Sequence, residues 1–155
     1  MENIEQSIEI DAPVSTVYNQ WTQFEEFPRF MEGVREVRQL DDKRLRWRAE
    51  IGGKEKEWVA EIYRQVPDQV IAWRSTSGVR NEGEIRFDKA TDAKTRVTLT
   101  MRYEPETAAE KTGDWVGVVS ARIHGDLKRF KDFIESRARE TGAWRGEIHA
   151  GSVSR

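Results

Sequence analysis

Tyr103, Ser75, His124 and His149 carry the polar side chains of this sequence that are best suited to chemistry. A tyrosine or serine hydroxyl can orient a ligand or donate to a carbonyl, and a histidine can transfer a proton near neutral pH. Tyr103 and Ser75 fall at inward positions of predicted strands, although each hydroxyl could equally bond the backbone. His124 lies about 100° from the apolar stripe of a predicted helix. We therefore take Tyr103 and His124 as catalytic candidates, against the simpler alternative that each is structural.

Metal and phosphate sites are not expected from this sequence. The two histidines lie far apart and there is no cysteine, so too few nitrogen or sulfur ligands converge. Gly52 and Gly53 join two predicted strands, whereas a phosphate-binding glycine loop opens a helix. Glu57, Glu61 and Asp88 have arginine partners on the predicted solvent face. We expect neither a cofactor nor a bound metal.

The composition limits the partners of the chain. Its 155 residues suit a single domain, and 26 basic against 28 acidic residues leave a net charge of −2. Such a charge gives no field that attracts a polyanion, so we expect no nucleic-acid partner. No signal peptide and no run of about 20 apolar residues is present. We expect a soluble, cytoplasmic protein without a membrane span.

The elements that position the candidate residues follow from changes in hydrophobic period. Apolar residues alternate in residues 4–10, which predicts a strand, and recur every three or four positions in residues 14–21, which predicts a short helix. Asp11 is expected to cap that helix. Residues 24–31 repeat the helical pattern around Pro28, where a second short helix begins or becomes irregular.

Residues 34–104 alternate in a way that predicts six antiparallel strands. With Gly52-Gly53 as a two-residue turn, Trp47 lies opposite Trp58 on the dry face, and Arg48 opposite Glu57 on the wet face. A slip of one residue would move the tryptophans into water, so the pattern itself selects this register.

The same pairing of apolar residues on the dry face is predicted for the next hairpins. A two-residue turn at Pro67-Asp68 places Ile62 opposite Trp73, and the following turn places Phe87 opposite Val97. All of these residues share the inward face. The strands therefore predict a curved sheet with one dry face.

A long helix follows, which we expect to begin after Asp114 as its cap and to end before Gly142. Its apolar stripe recurs over about 26 residues, or roughly 39 Å, which is enough to cross the sheet. Residues 1–142 are predicted to form the single domain, and residues 143–155 a C-terminal tail with Trp144 as its large anchor.

Several runs resemble one bacterial family. They are "FPRFMEGVREVRQLDDKRLRWRAEIGGKEKEWVAEI", "PDQVIAWRS", "GEIRFD", "GDLKRFKDFIESR" and "TGAWRGEI". The chain resembles the polyketide cyclase/dehydrase-like proteins of the START and Bet v 1 (SRPBCC) superfamily. The resemblance implies an α+β helix-grip fold, in which a curved antiparallel sheet of about seven strands wraps around a long C-terminal helix, with two short helices after strand one.

The resemblance further implies a cavity between the sheet and the long helix. Lipid carriers, plant hormone receptors and aromatic polyketide cyclases share this fold, so the fold alone does not select an activity. The cyclases use arginine, tyrosine and serine inside the cavity, but no such set can be matched here residue by residue. No catalytic role is therefore carried over from the family.

Three functions remain open. The first is a binding or carrier protein for a small hydrophobic or aromatic molecule, in a cavity of a few hundred Å³. The second is a polyketide cyclase, aromatase or dehydratase that uses the same cavity. The third is a filled core that acts through its surface or as a homodimer involving Trp144. The expected ligand contacts share inward positions on the strands and the long helix: Trp47, Trp58, Trp73, Ser75, Phe87, Leu99, Met101, Tyr103, Val119 and Ile123.

Overall fold

The computed structural model describes residues 2–155, which form nine strands, two α-helices and two short 3₁₀ helices. The strands are β1 Glu2–Ile10, β2 Val34–Gln39, β3 Arg44–Ile51, β4 Lys54–Val66, β5 Val70–Gly78, β6 Asn81–Thr91, β7 Lys94–Tyr103, β8 Glu147–His149 and β9 Ser152–Ser154. The α-helices are α1 Val14–Trp21 and α2 Gly113–Arg137, and the 3₁₀ helices are Phe24–Arg29 and Ala109–Lys111.

Seven strands of a nine-stranded antiparallel sheet lie in the order β1-β7-β6-β5-β4-β3-β2, and β8 joins the sheet beside β4, with β9 paired to β8. The buried stripe of α2 packs with the inward residues of this sheet in one hydrophobic core. The expected α+β helix-grip fold, with about seven strands, two short helices after β1 and a long C-terminal helix, is confirmed. No helix within residues 2–155 has both the length and the apolar composition that crossing a membrane requires.

The β3–β4 hairpin has the predicted register. Trp47 faces Trp58, and their rings stack with centroids 5.5 Å apart and planes 9° from parallel. Gly52 and Gly53 both have positive φ, as a two-residue hairpin turn requires. Arg48 also faces Glu57 across the ladder, but the Glu57 carboxylate accepts from Arg46 Nε at 2.9 Å, because diagonal neighbours lie within reach of long side chains.

The β4–β5 turn differs from the prediction, although the pairing of Ile62 with Trp73 is confirmed. Val66 pairs with Val70, so the loop contains three residues, and the predicted two-residue Pro67-Asp68 loop was wrong. The register shifts between Ile62 and Arg64, where β4 contains a bulge with one extra residue. This extra residue in the strand offsets the one-residue increase in the loop. In the β6–β7 hairpin, the predicted pairing of Phe87 with Val97 is confirmed.

Both predicted aspartate caps were wrong. Pro13 occupies the N-cap of α1, and the backbone N–H of Asp11 instead donates to Glu135 Oε2 at 2.7 Å. Thr112 caps α2 by accepting the N–H of Trp115 at 3.2 Å, which leaves Asp114 in the first turn, where its charge suits the helix dipole.

α2 also ends earlier than predicted. Its last helical residue is Arg137, and Ala138 follows in the left-handed conformation with φ 63°. The N–H of Ala138 donates to the carbonyl of Ile134 at 3.0 Å, which closes the last turn. The apolar stripe of the helix therefore stops at Ile134, well before Gly142.

The segment 143–155 packs against the sheet through β8. Gln65 of β4 pairs with Ile148, whose side chain is completely buried. Ile148 is therefore an anchor in addition to Trp144, which is half-buried against the core of its own chain. The boundary at residue 142 and the homodimer involving Trp144 stay predictions.

Candidate ligand-binding cavity

The interior is filled at one end and hollow at the other. Tyr18, Phe130 and Ile134 are among the fully buried residues of the filled end. Beside them, a cavity of about 150 Å³ lies between the inward face of the sheet, the 3₁₀ helix Phe24–Arg29 and α2. We call it the main cavity.

Most of the predicted ligand contacts do lie together in the main cavity. Seven of the ten form part of its wall: Trp47, Trp58, Trp73, Leu99, Met101, Val119 and Ile123. The strand register and the stripe of α2 therefore located most of the wall. The prediction missed the contribution of the helical section after β1, from which Trp21, Phe24, Phe27 and Met31 also line the cavity. Their helical spacing was visible, but it indicated only a buried face.

Three predicted contacts lie outside the main cavity: Phe87, Ser75 and Tyr103. Phe87 belongs to the filled end, where its ring packs edge-on against Tyr18 with centroids 5.3 Å apart. Ser75 has a structural partner, because its Oγ accepts the backbone N–H of Asn81 at 3.0 Å.

The catalytic candidates also lie apart from it. His124 is exposed on α2 and lines no described cavity, and His149 is exposed in β8. Tyr103 lines a second chamber of about 40 Å³, which adjoins the main cavity. Its hydroxyl is buried without a hydrogen-bond partner among the described residues.

Asn81 is a polar lining residue that the sequence did not reveal, because it falls in a predicted loop. It is almost fully buried at the start of β6. Its Oδ1 accepts from Trp73 Nε1 at 3.2 Å, and its Nδ2 donates to the carbonyl of Val79 at 3.0 Å. Asn81 thus holds the Trp73 ring in the cavity wall.

Arg122 ties α2 to the opposite side of the main cavity. Its Nη1 donates to the carbonyls of Glu32 and Glu50, at 2.8 and 2.9 Å. Gly33 passes beneath the guanidinium with φ +86°, and a Cβ there would lie 2.0 Å from Arg122 Nη1 and 2.5 Å from the backbone carbonyl oxygen of Glu50, which has less freedom to move. A glycine is required at this crossing because both the backbone conformation and the available space exclude a side chain.

Asp126 also lines the main cavity, one helical turn after Arg122. Its Oδ1 accepts the N–H of Glu32 at 3.1 Å and pairs with the Arg129 guanidinium. Burial raises the pKa of Asp126 to about 6, although Arg129, the Glu32 N–H and Arg122 act in the opposite direction. A carboxyl with this pKa can take up and release a proton near neutral pH.

The tip of the β3–β4 hairpin is held to the segment before α2 by three ion pairs, two with Glu110 and one between Lys56 and Glu106. Glu110 is buried, and its Oε2 accepts from Lys54 and Lys56 Nζ at 2.8 and 3.0 Å. Burial alone would raise the pKa of Glu110, but these bonds and the Glu106 N–H lower it to about 2. We call Lys54, Lys56 and Glu110 the hairpin clamp.

Trp115 covers the same tip. A Cβ on Gly52 would lie 2.5 Å from the Trp115 ring, so the indole rests directly on the turn. Lys54 Nζ lies 5.1 Å from the centroid of that ring. Together with the hairpin clamp, this contact holds the turn against the start of α2. In residues 2–155, no group of three or more histidine, cysteine, aspartate and glutamate side chains is arranged to hold a metal ion.

The fold and its aromatic cavity define a helix-grip protein with an apolar cavity between the sheet and the long helix. Residues 10–132 match the family described as polyketide cyclase / dehydrase and lipid transport, and the chain belongs to this family. It is 45% identical over 149 residues to an uncharacterised 17.2 kDa protein in the melC2-rnhH intergenic region of Streptomyces lincolnensis, covering 96% of this chain and 99% of the relative.

Solved structures show the same fold. DR_A0006 from Deinococcus radiodurans superposes with a TM-score of 0.69 at 29% identity, covering 88% of this chain and 99% of the other. The Zhui aromatase/cyclase from Streptomyces sp. R1128 superposes with a TM-score of 0.76 at 20% identity, covering 92% and 99%. At 20% identity, the second likeness shows the fold alone.

Proposed function

We propose that the protein binds or carries a small hydrophobic or aromatic molecule in the main cavity. The observation that supports this proposal is the cavity of about 150 Å³, walled by Trp47, Trp58 and Trp73 and by apolar residues of α2. Its shape is that of a small-molecule site, in which apolar walls meet a few fixed polar groups. Membership of a family that includes lipid transport agrees with it.

An unfilled cavity of this size reduces stability. At roughly 24 cal/mol per Å³, a closed void of about 150 Å³ costs about 3.6 kcal/mol of packing, and this value is an upper limit here because the main cavity is partly open to solvent. Domains of this kind have only about 5–15 kcal/mol of stability in total. The third alternative, a filled core that acts through its surface, gives no reason for this cost. A ligand that fills the cavity recovers part of it.

The volume of the main cavity also limits the size of the ligand. The sequence predicted a cavity of a few hundred Å³, and the observed volume is smaller. A dry apolar cavity of about 150 Å³ is large enough for one benzene ring. We therefore expect a ligand with a single ring, or one whose larger part extends beyond the main cavity.

Native mass spectrometry of the purified protein tests this proposal. We expect an added mass that organic solvent releases, or otherwise a rise in melting temperature with single-ring aromatic compounds. A ligand at 100 times its dissociation constant stabilises the folded state by about 2.7 kcal/mol. If no mass is added and no aromatic or lipid compound changes the melting temperature, the proposal is wrong.

The second candidate is a cyclase, aromatase or dehydratase. The observation that favours it is Asp126, a cavity-lining carboxyl whose pKa is raised to about 6 and which neighbours Arg122. It would supply the acid or base that the exposed His124 does not. Membership of a family whose description includes polyketide cyclase / dehydrase agrees with this candidate.

The enzyme is tested by incubation with a linear aryl 1,3,5-triketone, whose terminal methyl carbon attacks the aryl ketone to close a six-membered ring, and the loss of one water on dehydration is followed by mass spectrometry. We expect Asp126→Asn to abolish turnover while single-ring compounds still bind. Turnover that is unchanged in this variant, or absent from the native protein, removes Asp126 as the catalytic group. His124→Ala is the matched control on the same helix, because its side chain is exposed.

A further inference from the structure

We propose that the second chamber is an oxygen subsite, in which the Tyr103 hydroxyl donates a hydrogen bond to the carbonyl of an aromatic ketone or aldehyde. The ring of the same ligand occupies the main cavity. This inference rests on the proposed function and adds to it the chemical class of the ligand.

The second chamber adjoins the main cavity. Ile51, Trp58, Met101 and Val119 line both spaces, so one layer of side chains separates them. Tyr103 belongs to the second chamber alone. A ligand that reaches both spaces therefore has to pass only this shared layer of side chains.

The Tyr103 hydroxyl is available to a ligand. Tyr103 is 5% exposed, and its hydroxyl has no hydrogen-bond partner within residues 2–155. The polar neighbours in the chamber are already engaged. Glu110 accepts from the two lysines of the hairpin clamp and from the N–H of Glu106, and the side-chain amide of Asn81 bonds Trp73 and Val79. A buried hydroxyl without a partner is unfavourable, so a ligand atom that pairs with it is bound selectively.

The size of the chamber points to one small polar group. Its volume is about 40 Å³, whereas one water molecule occupies about 30 Å³ in the liquid. There is room for a carbonyl oxygen but not for a second ring. The ring itself fits the main cavity, which has the volume of a known benzene-binding cavity.

The charges around the chamber favour a neutral acceptor. Glu104 and Glu110 both line it, so an anionic ligand group would be repelled, while the Lys56 ammonium is already paired with Glu106 and Glu110. Burial raises the pKa of Tyr103, and the carboxylates of Glu2 and Glu110 raise it further. The hydroxyl therefore stays protonated at neutral pH and acts as a donor. A ketone or aldehyde oxygen is the acceptor that meets both conditions.

Acetophenone and ethylbenzene test the subsite, because they share a ring and a two-carbon substituent and differ in the carbonyl oxygen. Calorimetric titration measures both dissociation constants for the native protein and for Tyr103→Phe. We expect the preference for acetophenone over ethylbenzene to fall about tenfold in the variant, with ethylbenzene binding unchanged. Tyr18→Phe is the matched control, because Tyr18 is buried, lines neither space and accepts from Gln65 Nε2 at 2.9 Å.

The outcomes separate the subsite from the proposed function. If both compounds bind and Tyr103→Phe leaves their ratio unchanged, the subsite is overturned and cavity binding stands. If neither compound binds the native protein, the subsite is overturned, and the proposed function is decided separately by native mass spectrometry and the melting temperatures. Infrared spectroscopy of carbonyl-labelled acetophenone bound to the native protein gives a test that needs no variant. We expect its stretching frequency to be lower than in hexane, and an unchanged frequency contradicts the hydrogen bond.

Discussion

Ala60→Val measures directly whether the interior is hollow. Ala60 is buried in β4 between Leu45 and Ser75 of the neighbouring strands, and it lines the main cavity. Valine adds two methyl groups on the cavity side. At about 0.8 kcal/mol for each buried carbon, the variant gains about 1.6 kcal/mol if the added groups enter open space. For a chain of this size, that gain raises the melting temperature by about 3 to 6 °C.

Differential scanning calorimetry and urea unfolding measure the change, and Ala72→Val provides the control. Ala72 is equally buried in β5 but does not line the cavity, so it shares any preference of valine for strands without the open space. Overpacking there costs about 1–3 kcal/mol. We expect opposite signs for the two variants, and weaker binding of single-ring compounds only in Ala60→Val. A loss of stability at Ala60 similar to that at Ala72 would refute the cavity.

Three further variants test the residues around the cavity. Trp58→Ala should lower the free energy of unfolding by about 3 kcal/mol, at the low end for a buried aromatic because Trp58 is only half-buried. The variant should also bind naphthalene, which ligand titration will measure. If it binds no larger ligand than the native protein, Trp58 does not separate the two spaces. The stability that Glu110 contributes should be present above pH 4.5 and lost as the pH falls towards 2, because folding lowers the pKa of Glu110. Urea unfolding at several pH values measures this loss, and we expect it to be absent from Glu110→Gln. Folding raises the pKa of Asp126, so the stability that Asp126 contributes should fall as the pH rises from 3.8 to about 6. If the difference in unfolding free energy between the native protein and Asp126→Asn does not change over this pH range, the burial of Asp126 is contradicted.

The registers of the hairpins could be predicted from the sequence because alternation and turn residues are local signals. A slip of one residue exchanges the two faces, so Trp47 and Trp58 could lie opposite each other only in one pairing. The bulge after Ile62 could not be predicted, since it leaves the pairing of Ile62 with Trp73 unchanged and alters only the loop. The predicted aspartate caps were wrong for a related reason. Several residues near a helix end can serve as the cap, and packing selects one of them.

The polar part of the site depends on contacts between distant segments. Arg122 on α2 bonds the carbonyls of Glu32 and Glu50, and Glu110 bonds lysines of a hairpin formed much earlier in the chain. The positions of backbone carbonyls cannot be read from the sequence. Neither Arg122 nor the glycine beneath it could therefore be assigned to the site. His124 shows the converse. Its residue type suggested chemistry, but its position on the helix directs it to solvent.

The sequence by itself determined the order of the elements up to α2, the pairing of inward residues in three hairpins, the family resemblance and most of the apolar wall. These properties depend on the spacing of apolar side chains along short segments. Only the tertiary structure decided that the wall surrounds a cavity of about 150 Å³ and that the Tyr103 hydroxyl lacks a partner. An empty volume is the space left after the sheet, the short helices and α2 have packed together, and a missing partner depends on every neighbour at once. Neither property belongs to any one segment.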